Sequence, residues 1–312
     1  MKICVQTRGI IDVFGPQEGC KIIKESGFEG IDWNIDLDLY ANDIKKGNYR
    51  GSIFEKELSE ILEYYGDVLQ ELKNNGLIIS QAHAPFPAYL IELGEEFFDF
   101  MIEIFKKCIL LCDAIGCKNL IIHGISLSEE EKRLTHDDIQ KLNKKLYVSL
   151  ISTLQQTNVI VCLENLFTTT KNIKNQIYLV NGHCANPHEA VEIIDKLNAL
   201  AGKDCFGLCL DIGHLQLSKQ DIRAYTRVVG TRIKALHIHD NDGKVDLHLA
   251  PYTGSVDWQN FYTALQDIGY QGDLSFETFR QIQEPFCDRE MIIPWLQLIG
   301  ACGKLFKKKL CE

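Results

Sequence analysis

No apolar run in this 312-residue chain approaches the ~20 residues needed to cross a bilayer. The opening stretch MKICVQTRGI lacks the apolar core and small-residue cleavage site of a secretory leader. These absences point to a soluble, cytoplasmic protein with no membrane partner. Basic residues are in deficit: 33 Lys and Arg stand against 43 Asp and Glu, a formal charge of −10. A large basic face for nucleic acid is therefore not expected. Twelve cysteines are present, yet none forms a C-x-x-C pair, which removes a zinc-ribbon framework. Cys4, Cys162 and Cys209 lie inside apolar runs and Cys108 and Cys112 on a helical stretch, so they read as reduced, buried thiols. Also missing are GxGxxG and GxxxxGK[ST], the phosphate-cradling fingerprints of open doubly wound sheets. No low-complexity segment or linker interrupts the chain, which reads as one domain over residues 1–312.

What is present alternates. Eight short apolar runs of strand length occur at 2–7, 30–34, 77–83, 119–124, 159–165, 206–214, 233–240 and 273–278. Between them the apolar spacing changes to three and four. In 54–76, Leu58, Ile61, Leu62, Tyr65, Leu69 and Leu72 share one helical face, and the same pattern recurs in 95–116, 136–156, 186–202 and 255–270. Asn186 and Pro187 stand where an N-cap and first helical residue belong, and Ser255 or Asp257 caps the last of these helices. Strands alternating with helices pair in parallel through right-handed crossovers. Eight such units in this length predict a (β/α)₈ TIM barrel. The longer inserts, 34–54, 84–94, 165–186 and 241–256, all follow strands and so belong to the carboxyl-end rim, where barrel active sites form.

Chemistry collects at the ends of these strands. His83, His123, Glu164 and Asp211 close four of them, with His214 three residues after Asp211. His237 and His239 close the run 233–240, Asp246 and His248 follow, and Glu277 closes the last. Six of nine histidines thus meet on one rim, whereas His136, His183 and His188 read as solvated or helix-capping. So many carboxylates in one cleft would repel and take up protons unless a cation joined them. Mixed imidazole and carboxylate donors suit zinc, manganese, iron or cobalt better than calcium. Side chains two apart on a strand share a face, so alternation alone leaves His237 and His239 equal as donors.

The stretches QAHAPF, IIHG, VCLENL, LDIGH, HIHDNDGKVDLHLAPYTGSVDW and LSFET, in this order, resemble the xylose isomerase-like barrel superfamily over nearly the whole chain. That superfamily holds sugar and sugar-phosphate isomerases and epimerases, inosose-processing enzymes and the endonuclease IV group. The resemblance implies a divalent metal, zinc or manganese in the first place and otherwise magnesium, iron or cobalt. Its holders would be Glu164, Asp211, Glu277 and a histidine, His237 by the His-x-x-Asp match to Asp240, with His239 in reserve. Glu164 and Glu277 would flank the reacting carbon and His214 would touch the substrate. The repair-nuclease branch uses three metals, and its additional holders correspond to His83, His123, His214, Asp246 and His248, all of them retained here.

The rim inserts rank these branches. They read NIDLDLYANDIKKGNYR, PFPAYLIELGEE and ISLSEEEKRLTH, mixed to acidic, whereas a nuclease needs basic and aromatic loops to hold a duplex. The expectation is therefore a metal-dependent sugar or sugar-phosphate isomerase or epimerase working through an enediolate, on a small sugar or polyol. The alternatives are a trinuclear phosphodiesterase on abasic DNA, a polyol dehydratase or lyase, and a carbohydrate-binding barrel without turnover. Trp33 and Arg8 are candidate substrate contacts, Lys171 and Lys244 read as solvated, and Asp240–Gly243 as a turn. Pairing of copies through the outer helices is a further expectation, as in relatives.

Overall fold

In the computed structural model, which describes residues 1–127, 134–171, 177–283 and 287–311, ten strands form. They are β1 (Ile3–Gln6), β2 (Gly30–Asn34), β3 (Ile78–His83), β4 (Asn119–Ile121), β5 (Ile160–Glu164), β6 (Phe167–Lys171), β7 (Ile177–Asn181), β8 (Phe206–Asp211), β9 (Ile233–His237) and β10 (Leu274–Phe276). Eight of them form one parallel sheet in the order β10-β1-β2-β3-β4-β5-β8-β9. The ring closes where Ile238 N donates to Ser275 O at 2.9 Å and Glu277 N donates to Ile238 O at 3.1 Å. The eight runs read from the sequence are these eight strands, and the fold is a (β/α)₈ TIM barrel. β6 and β7 form a separate antiparallel hairpin inside the 165–186 insert, an element the sequence reading did not contain.

Around the barrel run α1 (Ile11–Glu25), α2 (Ala41–Lys45), α3 (Leu58–Tyr64), α4 (Gly66–Asn74), α5 (Gly94–Ala114), α6 (His136–Leu154), α7 (Pro187–Ala201), α8 (Ile212–Leu217), α9 (Ile222–Val229), α10 (Trp258–Asp267) and α11 (Arg289–Cys311). The cap residues behave as their chemistry requires. Asn186 accepts from His188 N ahead of α7, and Asp257, rather than Ser255, accepts from Asn260 N ahead of α10. The apolar run 206–214 is cut short for the same reason. Asp211 accepts from His214 N at 2.6 Å, so the chain leaves β8 and enters α8 at Ile212.

Two apolar regions hold the fold. The larger lies between strands and helices and includes Trp33, Phe97, Phe98, Phe105, Tyr147 and Phe206, each contributing roughly 1.5–3 kcal/mol on burial. The smaller fills the barrel with Ile121, Cys162, Cys209 and Ala235. These side chains are short, which leaves room above them at the carboxyl end. Eleven of the cysteines are buried and free, and Cys311 is exposed. No described helix is long and apolar enough to cross a membrane.

Candidate metal centre and active site

Strand ends deliver the chemistry to one place. Glu164, Asp211 and His237 are the last residues of β5, β8 and β9, and His83 is the last of β3. Glu277 follows β10 by one residue, His239 follows β9 by two, and His123 follows β4 by two. His214 sits in the first turn of α8, and Asp246 and His248 in the loop before α10. A cavity of about 560 Å³ opens here, lined by His83, His123, Glu164, His214, Asp246, His248 and Glu277. Asp211, His237 and His239 are fully buried against these lining residues.

The side chains fall into three touching groups. In the first, His237 Nδ1 lies 3.4 Å from Glu164 Oε2, 3.4 Å from Glu277 Oε2 and 3.9 Å from Asp211 Oδ2. Glu164 is also grouped with Cys209 and His237, and Asp211 and Glu277 with His239. In the second, His239 Nε2 is 3.1 Å from each Asp211 oxygen, and its ring stacks on His248 with centroids 4.1 Å apart. His248 Nε2 reaches Asp246 Oδ2 at 2.9 Å and His214 Nε2 approaches the same oxygen at 3.7 Å. Donor atoms of His214, His239, Asp246 and His248 all lie within 4.8 Å of one another. In the third, His83 Nε2 and His123 Nε2 are 2.9 Å apart, and His123 Nε2 is 2.9 Å from Glu164 Oε2. His248 takes a backbone φ of 45°, the left-handed region, which is strained for a side-chain-bearing residue and points to a position held by its surroundings.

Electrostatics follow from crowding. Burial alone would lower the pKa of His214, but Asp211, Asp246 and Glu164 outweigh it and lift the group well above the ordinary range. His237 is lifted likewise against burial, by neighbours that include Glu277, Glu164 and Asp32, and His248 is pushed up to about 9 by Asp246 and Glu277. Glu164 is held well below the carboxylate range, since His123 and His237 overcome its burial. His83 goes the other way, lowered by burial and by the charge of His123 and His237. Protons on imidazoles thus stand in for positive charge among buried anions. Both ring nitrogens of His237, His239 Nδ1 and Asp246 Oδ1 are nevertheless buried without a hydrogen-bond partner. Leaving such atoms unpaired costs roughly 1–3 kcal/mol each. Imidazole nitrogens and carboxylate oxygens aimed inward with nothing to bind are the donor set a divalent transition-metal ion takes, and the residues fit such an ion.

Other expected residues sort differently. Arg8 lines the cavity, its guanidinium paired with buried Asp36 and lying over the Phe279 ring at 5.3 Å. Burial raises the Asp36 carboxyl to about 6 even though Arg8 pulls it down. Trp33 does not meet the cavity: it is 4% exposed and packs edge-on against Tyr65 at 4.7 Å. Strand alternation accounts for this placement, because Asp32 faces into the barrel and its neighbour Trp33 must face the helices. His183, expected to be solvated or capping, is instead buried against Tyr147, and burial lowers it to about 4. Asp240 is buried too, accepting from Asn241 N, Val256 N and Trp258 Nε1 to fasten the following loop. Lys244 is exposed as expected, and the Lys171 side chain lies outside the described residues, as do parts of the inserts after β4 and β6. The sequence reading missed the aromatic wall of Phe86, Phe167 and Phe279, and Asp32, whose one signal was an acid in an otherwise apolar strand.

With the geometry in place, the chain can be set against known proteins. Residues 20–295 match the family model described as the xylose isomerase-like TIM barrel, and the chain belongs to that family. An uncharacterised protein of Sinorhizobium fredii, y4fM, is 25% identical over 281 residues, 85% of this chain and 81% of that one. A solved D-tagatose 3-epimerase-like protein superposes with a TM-score of 0.68 at 18% identity, covering 100% of this chain and 98% of its own. The IolI protein, solved with a bound zinc atom, gives 0.62 at 17% identity over 99% and 98% of the two chains.

Proposed function

We propose that the protein is a metal-dependent isomerase or epimerase of a small sugar, sugar phosphate or related polyol. The observation that carries this reading is that Glu164 and Glu277, from strands separated by two others in the barrel, both approach His237 Nδ1 at 3.4 Å beside a solvent-reachable cavity. Glu164, Asp211, His237 and Glu277 would hold the ion, with His239 close enough to Asp211 to replace or support His237. When bound, a divalent cation supplies Lewis-acid polarisation of the substrate carbonyl and its neighbouring hydroxyl, which makes the adjacent C–H acidic enough to ionise. Glu164 or Glu277 takes that proton, and the same carboxylate or the other returns it to the neighbouring atom or opposite face. His214, at the cavity wall, is placed to donate to a substrate hydroxyl. Arg8 is a further polar group of the lining, and Phe86, Phe167 and Phe279 would offer flat faces to sugar C–H groups and shield the reacting carbon from water.

A second reading has its own support. The groups His83–His123–Glu164 and His214–His239–Asp246–His248 are further places for ions, as a trinuclear phosphodiesterase would need. Charge weighs against it. Among the described lining residues the Lys and Arg side chains are Arg8 and Lys45, and Arg8 is already matched by Asp36. A duplex needs several phosphate-facing cations.

Incubation with ketoses in D₂O tests the first reading, through exchange at the carbon next to the carbonyl. No exchange across a broad set of sugars, together with cleavage of an abasic duplex and three metal equivalents per chain, would reverse the order. Release of water from a polyol without epimerisation would point to a dehydratase, and sugar binding with no turnover to a binding protein.

A further inference from the structure

Below the cavity floor lies a carboxylate that neither the proposed ion nor the proposed proton transfer employs. Asp32, in the middle of β2, is 1% exposed and faces into the barrel. Side chains from three other strands meet its Oδ2. Gln81 Nε2 of β3 donates at 2.7 Å, Ser275 Oγ of β10 donates at 3.3 Å, and His237 Nε2 of β9 lies 3.2 Å away. Gln81 is itself held, donating also to Leu236 O at 3.2 Å. Asp32 Oδ1 is buried with no partner. The layer around it is otherwise short and apolar, built of Ile121, Cys162, Cys209 and Ala235. A carboxylate is a poor filler for such a layer, because burying it is costly and an apolar side chain of similar volume would pack as well.

We infer that Asp32 is a positioning residue for His237. It stands 3.2 Å from Nε2 and so fixes the ring with Nδ1 towards Glu164, Glu277 and Asp211. The inference rests on the metal reading of the site and adds which side chain makes His237 a donor. The two ring nitrogens of a histidine are not equivalent, and the group beneath one decides the state of the other. Here Nε2 has Asp32 at 3.2 Å and Nδ1 has three carboxylates within 3.9 Å. Asp32 sets a charge 3.2 Å from Nε2, and Gln81 and Ser275 keep that carboxylate from turning away. A carboxylate behind a ligating imidazole also raises its basicity and fixes its ring plane. Among the described residues His239 is ion-paired through Nε2 to Asp211, with no carboxylate against its Nδ1, whereas His237 has Asp32 3.2 Å from its second nitrogen, and this separates two histidines that alternation left equal.

The test is metal affinity of the folded protein, measured for Zn²⁺ and Mn²⁺ by competition with a chromogenic chelator, alongside thermal unfolding of the metal-free form. Asp32→Asn keeps the volume and removes the charge. The expected result is a metal Kd raised about 10–100-fold, the usual effect of losing a carboxylate behind a ligating histidine, with metal-free unfolding unchanged or moved to higher temperature. A residue that merely fills the barrel gives the opposite pattern, lower stability with an unchanged Kd, and that overturns the inference. Should Asp32→Asn fail to fold, Gln81→Leu retains the charge and loosens its orientation. A smaller rise in Kd is then expected, and no rise overturns the inference. A wild-type protein that takes up neither ion defeats the metal reading itself, a different failure from a variant that binds as well as wild type.

Discussion

Glu164 sits where three demands meet. It approaches His237 Nδ1, His123 Nε2 and His214 Nδ1 at 3.4, 2.9 and 3.1 Å, so it belongs to every reading of the site. If it moves the proton, Glu164→Gln lowers exchange in D₂O by about 10²–10⁴-fold, the usual worth of a positioned acid or base. Glu277→Gln falls in the same range, and Glu164→Gln should also unfold at lower temperature, because His123 and His237 favour the ionised carboxylate in the folded chain. Exchange at wild-type rate in either variant would remove that residue from the mechanism. His183 offers a prediction independent of the site. Its folded pKa of about 4 lies below the ordinary 6.5, so between these values the unfolded chain binds a proton that the folded chain refuses. Stability from this residue is therefore present above pH 6.5 and lost as pH falls towards 4, amounting to about 3 kcal/mol at the acid end. His183→Phe should shrink the fall in urea midpoint between pH 7 and pH 4.5, and an unchanged fall would show that the ring gains partners on protonation.

At the scale of elements, strands fix the site and the inserts shape its walls. The β6–β7 hairpin brings Phe167, Thr168 and Thr169 to the cavity. Its base is tied by Leu166 N to His183 O and by Gly182 N to Leu166 O, each at 2.9 Å. Gly182 is needed for that closeness, since a Cβ there would stand 2.8 Å from Leu166 O and 2.9 Å from the Phe167 carbonyl carbon. Both are backbone atoms and cannot rotate aside. Gly182→Ala should prise the hairpin from the rim and raise KM about tenfold, ~1.4 kcal/mol of binding, with a much smaller change in kcat because Glu164 and Glu277 stand on other elements. A kcat loss with unaltered KM would mean that the hairpin reaches the chemistry.

For the whole molecule, the balance lies between buried anions and the charge that joins them. Binding an ion to the folded form alone adds stability by mass action, about 2.7 kcal/mol at a free concentration 100 times Kd. Thermal unfolding should move up by a few degrees with Mn²⁺ or Zn²⁺ and return after chelation. No shift with either would argue that imidazolium protons are the permanent counter-charge. The net charge of −10 bears on partners at this same scale. An abasic duplex at physiological salt should leave fluorescence anisotropy unchanged, whereas saturable binding would restore the nuclease reading.

Much of this was written into the linear chain. The alternation of eight apolar runs with helical spacing announced the barrel, because period two and period 3.6 arise from local backbone geometry. The acids and imidazoles at the run ends pointed to a candidate site, because parallel strands carry all their carboxyl ends to one rim. What the chain could not declare was which way each strand faces. GIDWN alternates equally well in either sense, and closure of the barrel turned Asp32 inward and Trp33 outward. Nor could it reveal the β6–β7 hairpin, whose pairing depends on where the rim leaves room, or the burial of His183, which Tyr147 and Gly124 create from distant segments. His237 and His239 are identical to any local rule. They differ because barrel closure brings Asp32, some two hundred residues earlier in the chain, beneath one ring and not the other. Local periodicity thus determined the elements and their chemistry, while contacts between remote segments, which no short-range pattern encodes, decided the orientation of each donor.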